Sequence, residues 1–301
     1  MQVFVTGASG FVGSAVTAEL LAHGHQVMGL ARSDSSAEAL ARTGAQVLRG
    51  DLEAPETLRE GAQRSDAIIH AGFIHDFARY ARSCAIDRAA IETLGAAIEG
   101  TNKPFIVTAG LAGLAVTGSA VTEDDIAPPP TDMYPRASDM AARALTARGI
   151  PTMIMRLPPS VHGRGDHGFV PMLIELAREK GRSAYVGDGS NAWPAAHVTD
   201  AARAYRLAVE RGPSAETFHA AAETGVPFRD IAQAIAVGLD LPCVSLSAEQ
   251  AGAHFGWMAH FTALDQPTAS ERTRHLLDWH PTGPDLLTDM AQAGYFPVSA
   301  G

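Results

Sequence analysis

Three glycines at three-residue spacing, Gly7, Gly10 and Gly13, lie within Val3-Phe4-Val5-Thr6-Gly7-Ala8-Ser9-Gly10-Phe11-Val12-Gly13. The apolar run before them reads as a strand and the stretch after them as a helix. In that context a G-x-x-G-x-x-G suits the pyrophosphate of a dinucleotide. Gly7 permits a tight turn, Gly10 lets the backbone approach phosphate, and Gly13 allows close helix–strand packing. The helix N-terminus adds unpaired N–H groups and a favourable dipole. The expected cofactor grip is therefore Thr6, Gly7, Ser9, Gly10, Phe11, Val12 and Gly13.

A site selective for NAD carries Asp or Glu at the end of its second strand, for the ribose hydroxyls. Here the sequence is Leu30-Ala31-Arg32-Ser33-Asp34. Arg32 can pair a 2′-phosphate and Ser33 can hydrogen-bond it, which favours NADP over NAD. The alternative leaves Arg32 in solvent and gives the ribose to Asp34. In Gly50-Asp51-Leu52, Asp51 can accept from an adenine amino group, cap the helix that begins near Pro55, or do both.

Two histidine-bearing segments carry further polar chemistry. His75, in His70-Ala71-Gly72-Phe73-Ile74-His75-Asp76-Phe77, leaves the fourth strand at the carboxyl edge where open α/β sheets bind ligands. It is a candidate acid or orienting group, with Asp76 as a helix N-cap beside it. The glycine-rich loop Val161–Gly168 holds His162, Arg164, Asp166 and His167. Their spacing matches no metal motif, so His162 is expected to hydrogen-bond substrate or cofactor and no metal is expected. Tyr185, Trp193, Phe255, Trp257 and Phe261, with His254 and His260, either line an apolar substrate pocket or form a small core. No Gly-x-Ser-x-Gly elbow supports a serine hydrolase.

Positioning these groups requires a sheet. Short apolar runs at Gln2–Val5, Gln26–Ala31, Ala45–Leu48, Ala67–His70, Phe105–Thr108 and Thr152–Arg156 alternate with helical stretches such as Phe11–His23, Pro55–Arg64 and Asp76–Glu99. Runs without in/out alternation suit parallel strands covered on both faces. The chain is thus expected to be α/β, a doubly wound Rossmann sheet followed by a smaller, mainly helical substrate lobe. Residues 1–160 and about 192–224 form the dinucleotide-binding part, with 161–191 and 225–301 as the lobe. Helices are expected at Phe169–Lys180, Val198–Arg211, Phe228–Leu239, Pro267–Leu277 and Asp285–Ala293, with strands at Ala184–Val186 and Thr217–Ala221.

Composition narrows the classes. A formal charge of −10 over 301 residues argues against nucleic acid, whose phosphates need clustered Lys and Arg. No uncharged apolar run of about 18 residues suggests a membrane span. Cys84 and Cys243 lack metal spacing, and free thiols fit a cytoplasmic address.

Taken together, Thr6–Gly13, Gly50-Asp51-Leu52, His70-Ala71-Gly72, Phe105–Gly110, Arg156–Gly163 and Trp279-His280-Pro281 resemble the extended or atypical short-chain dehydrogenase/reductases, the NAD-dependent epimerase/dehydratase group. The resemblance implies that Asp51, Leu52, Ala71, Gly72, Pro158 and Ser160 border the cofactor. It also implies a homodimer through the long helices after strands four and five. Family catalysis uses Tyr-x-x-x-Lys with an upstream Ser or Thr, the Lys lowering the Tyr pKa. Tyr134 falls at the Tyr position, but Ser138 stands four residues on, and the chain has only Lys103 and Lys180. Thr108 is the hydroxyl left on strand five, the usual Ser being replaced by Ala109 or Gly110.

Three functions compete for such a site. One is an NADP(H)-dependent reductase of a small or aromatic aldehyde or ketone, with Tyr134 or Thr108 polarising the carbonyl, His75 or His162 in reserve, and Arg136 supplying positive charge. The others are a sugar-nucleotide epimerase or dehydratase, and an NADP(H)-binding sensor that never turns over.

Overall fold

The computed structural model describes residues 1–114, 119–292 and 294–296. In chain order, its first half runs β1 (Gln2–Thr6), α1 (Phe11–Ala22), β2 (Gln26–Ala31), α2 (Asp34–Thr43), β3 (Gln46–Arg49), α3 (Pro55–Arg64), β4 (Ala67–His70), α4 (Tyr80–Ala97), β5 (Phe105–Gly110), α5 (Ser138–Ala147) and β6 (Thr152–Leu157). The second half runs β7 (Ser160–His162), α6 (Phe169–Lys180), β8 (Ser183–Val186), β9 (Ala192–His197), α7 (Val198–Arg211), β10 (Thr217–His219), β11 (Glu223–Pro227), α8 (Phe228–Leu239) and β12 (Cys243–Leu246). Helices α9 (Ala248–Phe255), α10 (Ala259–Thr262), α11 (Glu271–Leu277) and α12 (Leu286–Gln292) follow. The expected end of the last helix, at 293, lies outside the described residues.

The seven-stranded sheet is ordered β10-β6-β5-β4-β1-β2-β3, and every pairing in it is parallel. The strand order reverses between β1 and β4, which opens a crevice at their carboxyl ends. Both faces are buried, as the non-alternating apolar runs require. Val3, Val5, Ile69 and Ile106 pack with α1 and α7 on one face. Phe4, Ile68, Phe105 and Val107 pack with α3, α4 and α5 on the other. No helix among the described residues is long and apolar enough to cross a membrane.

A third core joins residues from Val170 to Met290, including Trp193, Ala195 and Phe228. This region contains more strand than the sequence reading gave it. A three-stranded sheet, β11-β9-β7, and a parallel pair, β12-β8, accompany its helices. The expected loop Val161–Gly168 therefore begins inside a strand, with Ser160 in register with Ala195 and His162 with His197.

Candidate active site

The glycine turn takes its shape from two close approaches. Gly7 has φ +68°, and a Cβ there would lie 2.6 Å from the Gly72 Cα. At Gly13 a Cβ would fall 2.0 Å from the Gly7 carbonyl oxygen, so α1 packs directly on the turn. Gly10 differs: a Cβ there would meet only the Gly7 oxygen, at 3.2 Å, and otherwise extend into open space. No side chain caps α1 at Gly10. An open glycine at an uncapped helix N-terminus is the arrangement an anionic pyrophosphate needs.

Thr6 departs from expectation. Its hydroxyl is fully buried, accepts from the Gly72 amide at 3.1 Å and lies 2.8 Å from His70 Nδ1. With both partners it ties β1 to the β4 exit. Ser9 is exposed at the turn, and Phe11 and Val12 are half-buried at the helix start. Leu52 closes over Gly72, its Cδ2 lying 3.3 Å from where a Gly72 Cβ would be, with Ala71 half-buried alongside.

At the adenosine end Arg32 is exposed. Ser33 forms a capping box on α2, its hydroxyl accepting from the Ser36 amide. Asp34 is ion-paired with Arg49, so the alternative ribose ligand already has a cation on it. Asp51 does not cap α3, whose N-cap is Ala54. It accepts instead from the Glu53 amide at 2.8 Å, because three residues separate it from the helix.

The candidate catalytic residues meet where β5 ends. A side chain at Gly110 would point at the Tyr134 hydroxyl, 3.6 Å away, and at Arg136 Nη1, 3.8 Å away. A side chain at Gly110 would thus face both polar groups. The Tyr134 ring lies over Gly113, where a Cβ would be 2.4 Å from Cε1. Burial pushes the Tyr134 hydroxyl above its ordinary pKa; Arg136 pulls it down and Cys84 pushes it up.

Arg136 is held from three sides. Its Nε donates to Ser138 Oγ at 3.0 Å, Nη2 donates to the Thr108 carbonyl at 3.3 Å, and the guanidinium lies 4.5 Å from the Phe73 ring centroid. Ser138 Oγ donates to Asp87 Oδ2 at 2.7 Å, and His70 Nε2 lies 3.3 Å from Asp87 Oδ1. One proton arrangement satisfies every member: Thr6 donates to His70 Nδ1, and His70 Nε2 donates to Asp87. A single buried chain thus runs from the phosphate turn, through Thr6, His70, Asp87 and Ser138, to Arg136. Burial alone would raise the Asp87 pKa, but the His70 hydrogen bond, the Arg136 charge and the Ser138 hydroxyl hold it below its ordinary value. Burial works against the Arg136 charge, and Asp87, Tyr134, Tyr80 and Cys84 outweigh it.

Sequence reading named Tyr134 and Arg136 but missed His70, Asp87 and Ser138 as their support. Ser138 had a signal, since it occupies the vacant lysine position. Asp87 had one only in hindsight, as the one carboxylate on the buried face of α4.

The other candidates fall elsewhere. Thr108 Oγ1 lies 2.6 Å from the Tyr205 hydroxyl, so its polar capacity is engaged beneath the site. His75 is exposed in the cleft, and desolvation by its surroundings, then Arg136 and His167, depress its pKa. His162 is fully buried in β7, with Nδ1 2.8 Å from Asp289 Oδ2 and its ring 5.5 Å from His197. Sealed inside the lobe, it has no route to a substrate. Ser160 is also buried and accepts from Trp193 Nε1 at 2.7 Å, so its hydroxyl is unavailable to a cofactor. Pro158 is buried just before it, where β6 leaves the sheet. Among the described residues no group of three or more His, Cys, Asp or Glu could hold a metal ion.

This chain belongs to the NAD dependent epimerase/dehydratase family, whose sequence model matches residues 3–221. Members of that family bind NAD(P), which fits the open glycine and uncapped helix described above. An uncharacterised protein of Schizosaccharomyces pombe is 43% identical over 98% of this chain and 100% of its own length. A 4-hydroxy-2-methyl-3-oxo-4-farnesyl-3,4-dihydroquinoline-1-oxide ketoreductase from Stigmatella aurantiaca is 29% identical over 85% of this chain and 80% of its own. Among solved structures, a double mutant of DesIV, a dTDP-glucose 4,6-dehydratase from Streptomyces venezuelae with NAD and DAU bound, has a TM-score of 0.77 at 18% identity. That match covers 97% of this chain and 95% of the other, and shows the shared fold.

Proposed function

We propose that this chain is an NADP(H)-dependent reductase of a small or aromatic aldehyde or ketone, with Tyr134 as proton donor and Arg136 in place of the missing lysine. The observation that carries the reading is the convergence of the Tyr134 hydroxyl and Arg136 Nη1 on the open side of Gly110. The similarity to a ketoreductase supports the same chemistry.

The bound dihydronicotinamide supplies the hydride; the chain's own residues manage the oxygen. A carbonyl oxygen beside Gly110 accepts a hydrogen bond from Tyr134, and as negative charge develops there Tyr134 gives up its proton. Its raised pKa keeps Tyr134 protonated at neutral pH, which is the state reduction requires. Arg136 stabilises the tyrosinate that results, as the lysine does in the family. For the cofactor, Arg32 and the hydroxyls at the α2 N-terminus support a 2′-phosphate, while Asp34 is already paired with Arg49. Substrate would lie between the sheet edge and the lobe formed by 161–191 and 225–301.

NADPH oxidation followed at 340 nm against a panel of aldehydes and ketones tests the reading, with Tyr134→Phe run in parallel. Loss of roughly a hundredfold or more in kcat is expected for the variant. Full activity in Tyr134→Phe would move the proton donor to His75. Tight NADPH binding with no oxidation of any panel member would favour the sensor.

A further inference from the structure

Phe77 and Trp257, 180 positions apart in sequence, stack with ring centroids 4.5 Å apart and planes 22° from parallel. Both remain solvent-exposed, at 39% and 46%. Phe77 stands just after Asp76 on the β4 exit, while Trp257 belongs to the lobe. The pair is one link in a continuous aromatic arc. Arg136 covers Phe73, Phe73 meets His75 at 5.2 Å, His75 meets Phe77 at 6.2 Å, and Trp257 meets Phe261 at 6.0 Å.

The far end of the arc packs near the segments that follow β5 and β6. Phe261 lines a narrow recess with Ala112 and Pro159. Ala112 precedes Gly113, over which the Tyr134 ring lies. The arc therefore starts on Arg136 and crosses from the β4 exit to the lobe. The nearby cations Arg79 and Arg82 are paired with Asp76 and Glu53, so the segment bearing Phe77 offers aromatic faces in preference to free positive charge.

We infer that Phe77 and Trp257 are specificity-determining residues that stack on the substrate, selecting a flat, uncharged aromatic carbonyl compound over an aliphatic one or a nucleotide sugar. This rests on Tyr134 and Arg136 marking the reacting end of the cleft. An aromatic face offered to a ring favours offset or edge-on packing beyond the effect of area alone. Trp257 is half-exposed, so its replacement leaves the cores intact, and the other two tryptophans, Trp193 and Trp279, are buried.

Two readouts on the full-length protein test the inference. First, KM and kcat are measured for benzaldehyde and for hexanal with wild type, Trp257→Ala and Trp257→Phe. Trp257→Ala should raise KM for benzaldehyde roughly five- to tenfold with kcat nearly unchanged and leave hexanal unaffected, and Trp257→Phe should restore most of the loss. Second, acrylamide quenching of tryptophan fluorescence, which Trp257 dominates, is measured with NADPH and 2-naphthalenemethanol as an unreactive probe. The probe should protect Trp257.

Equal effects on both aldehydes, or no protection by the probe, would overturn the inference and leave the stack as a latch between lobe and sheet. Protection without NADPH oxidation of any substrate would uphold the aromatic site and reject the reductase. Absence of both would reject the two together.

Discussion

Two arginines sit at the carboxyl ends of β5 and β6, and the chain uses them in opposite ways. Arg156 is fully buried and every arm of its guanidinium is engaged. Nε and Nη2 donate to Asp139 Oδ2 at 2.9 and 2.7 Å, Nη2 also donates to the Asp125 carbonyl, and Nη1 donates to His219 Nε2 at 3.1 Å. Arg136 is only half-buried, reaches its carboxylate through Ser138, and leaves Nη1 beside the vacant Gly110 position. Burial lowers the pKa of Arg156, whereas the partners of Arg136 outweigh burial and raise it. A cation whose donors are exhausted holds structure together. One with a free edge beside Gly110 keeps a donor available, as the proposed role requires.

Removing each charge in turn should separate the two arginines. Arg156→Met leaves Asp139 with only the half-exposed Arg143 and deprives His219 of its donor, so a loss of about 3 kcal/mol or more is expected in urea unfolding. A stability close to wild type would show that the Arg156 cluster is not the structural member of the pair.

Acid should act on the same cluster next. Burial drives the His219 pKa down to about 4, and its Nδ1 donates to the Ala269 carbonyl at 2.8 Å. In the unfolded chain His titrates near 6.5, so the unfolded state binds the extra proton between those values. The stabilisation is therefore complete above about pH 6.5 and lost as pH falls toward 4, by roughly 3 kcal/mol. His75, His162 and His254 are shifted the same way and add to the slope. Urea midpoints between pH 7 and 5 should fall in wild type and fall less steeply in His219→Gln; equal slopes would remove His219 from the account.

Ser138→Ala is the gentlest cut, made on the catalytic side. It takes one hydrogen bond from Asp87 and one from Arg136, while the Thr108 carbonyl and the Phe73 ring still hold the guanidinium. About 1 kcal/mol of stability and a severalfold fall in kcat are expected. A change in Tm with kcat untouched would make Ser138 a purely structural link.

The same contrast explains what the sequence disclosed. Strand and helix positions on the main sheet were legible because parallel strands buried on both faces leave short, unbroken apolar runs, and Gln26–Ala31, Pro55–Arg64 and Val198–Arg211 match in both bounds. The glycine turn was legible because its residues are contiguous. The Arg136 support was not, since Thr6, His70, Asp87 and Ser138 come from four elements and meet only when β1, β4, α4 and α5 assemble. Of the small sheets, the strand at Ala184–Val186 was read, while the three-stranded sheet escaped for a local reason: β9 contains Pro194, and β7 is three residues long, too short for any period to show. Helix α9 did carry a readable start, the capping box of Ser247 and Gln250. His162 misled because a polar residue beside glycine read as part of a ligand loop, and Ser160 because the family resemblance put it at the cofactor, whereas both lie buried in a strand paired with β9.

If Arg136 does the work of the absent lysine, as proposed, then kcat, NADPH affinity and Tm measured together for Arg136→Met will separate. A fall in kcat of about a hundredfold is expected, with Tm lowered only slightly and NADPH affinity within a few-fold of wild type. Turnover within twofold of wild type in a folded Arg136→Met protein would contradict the claim.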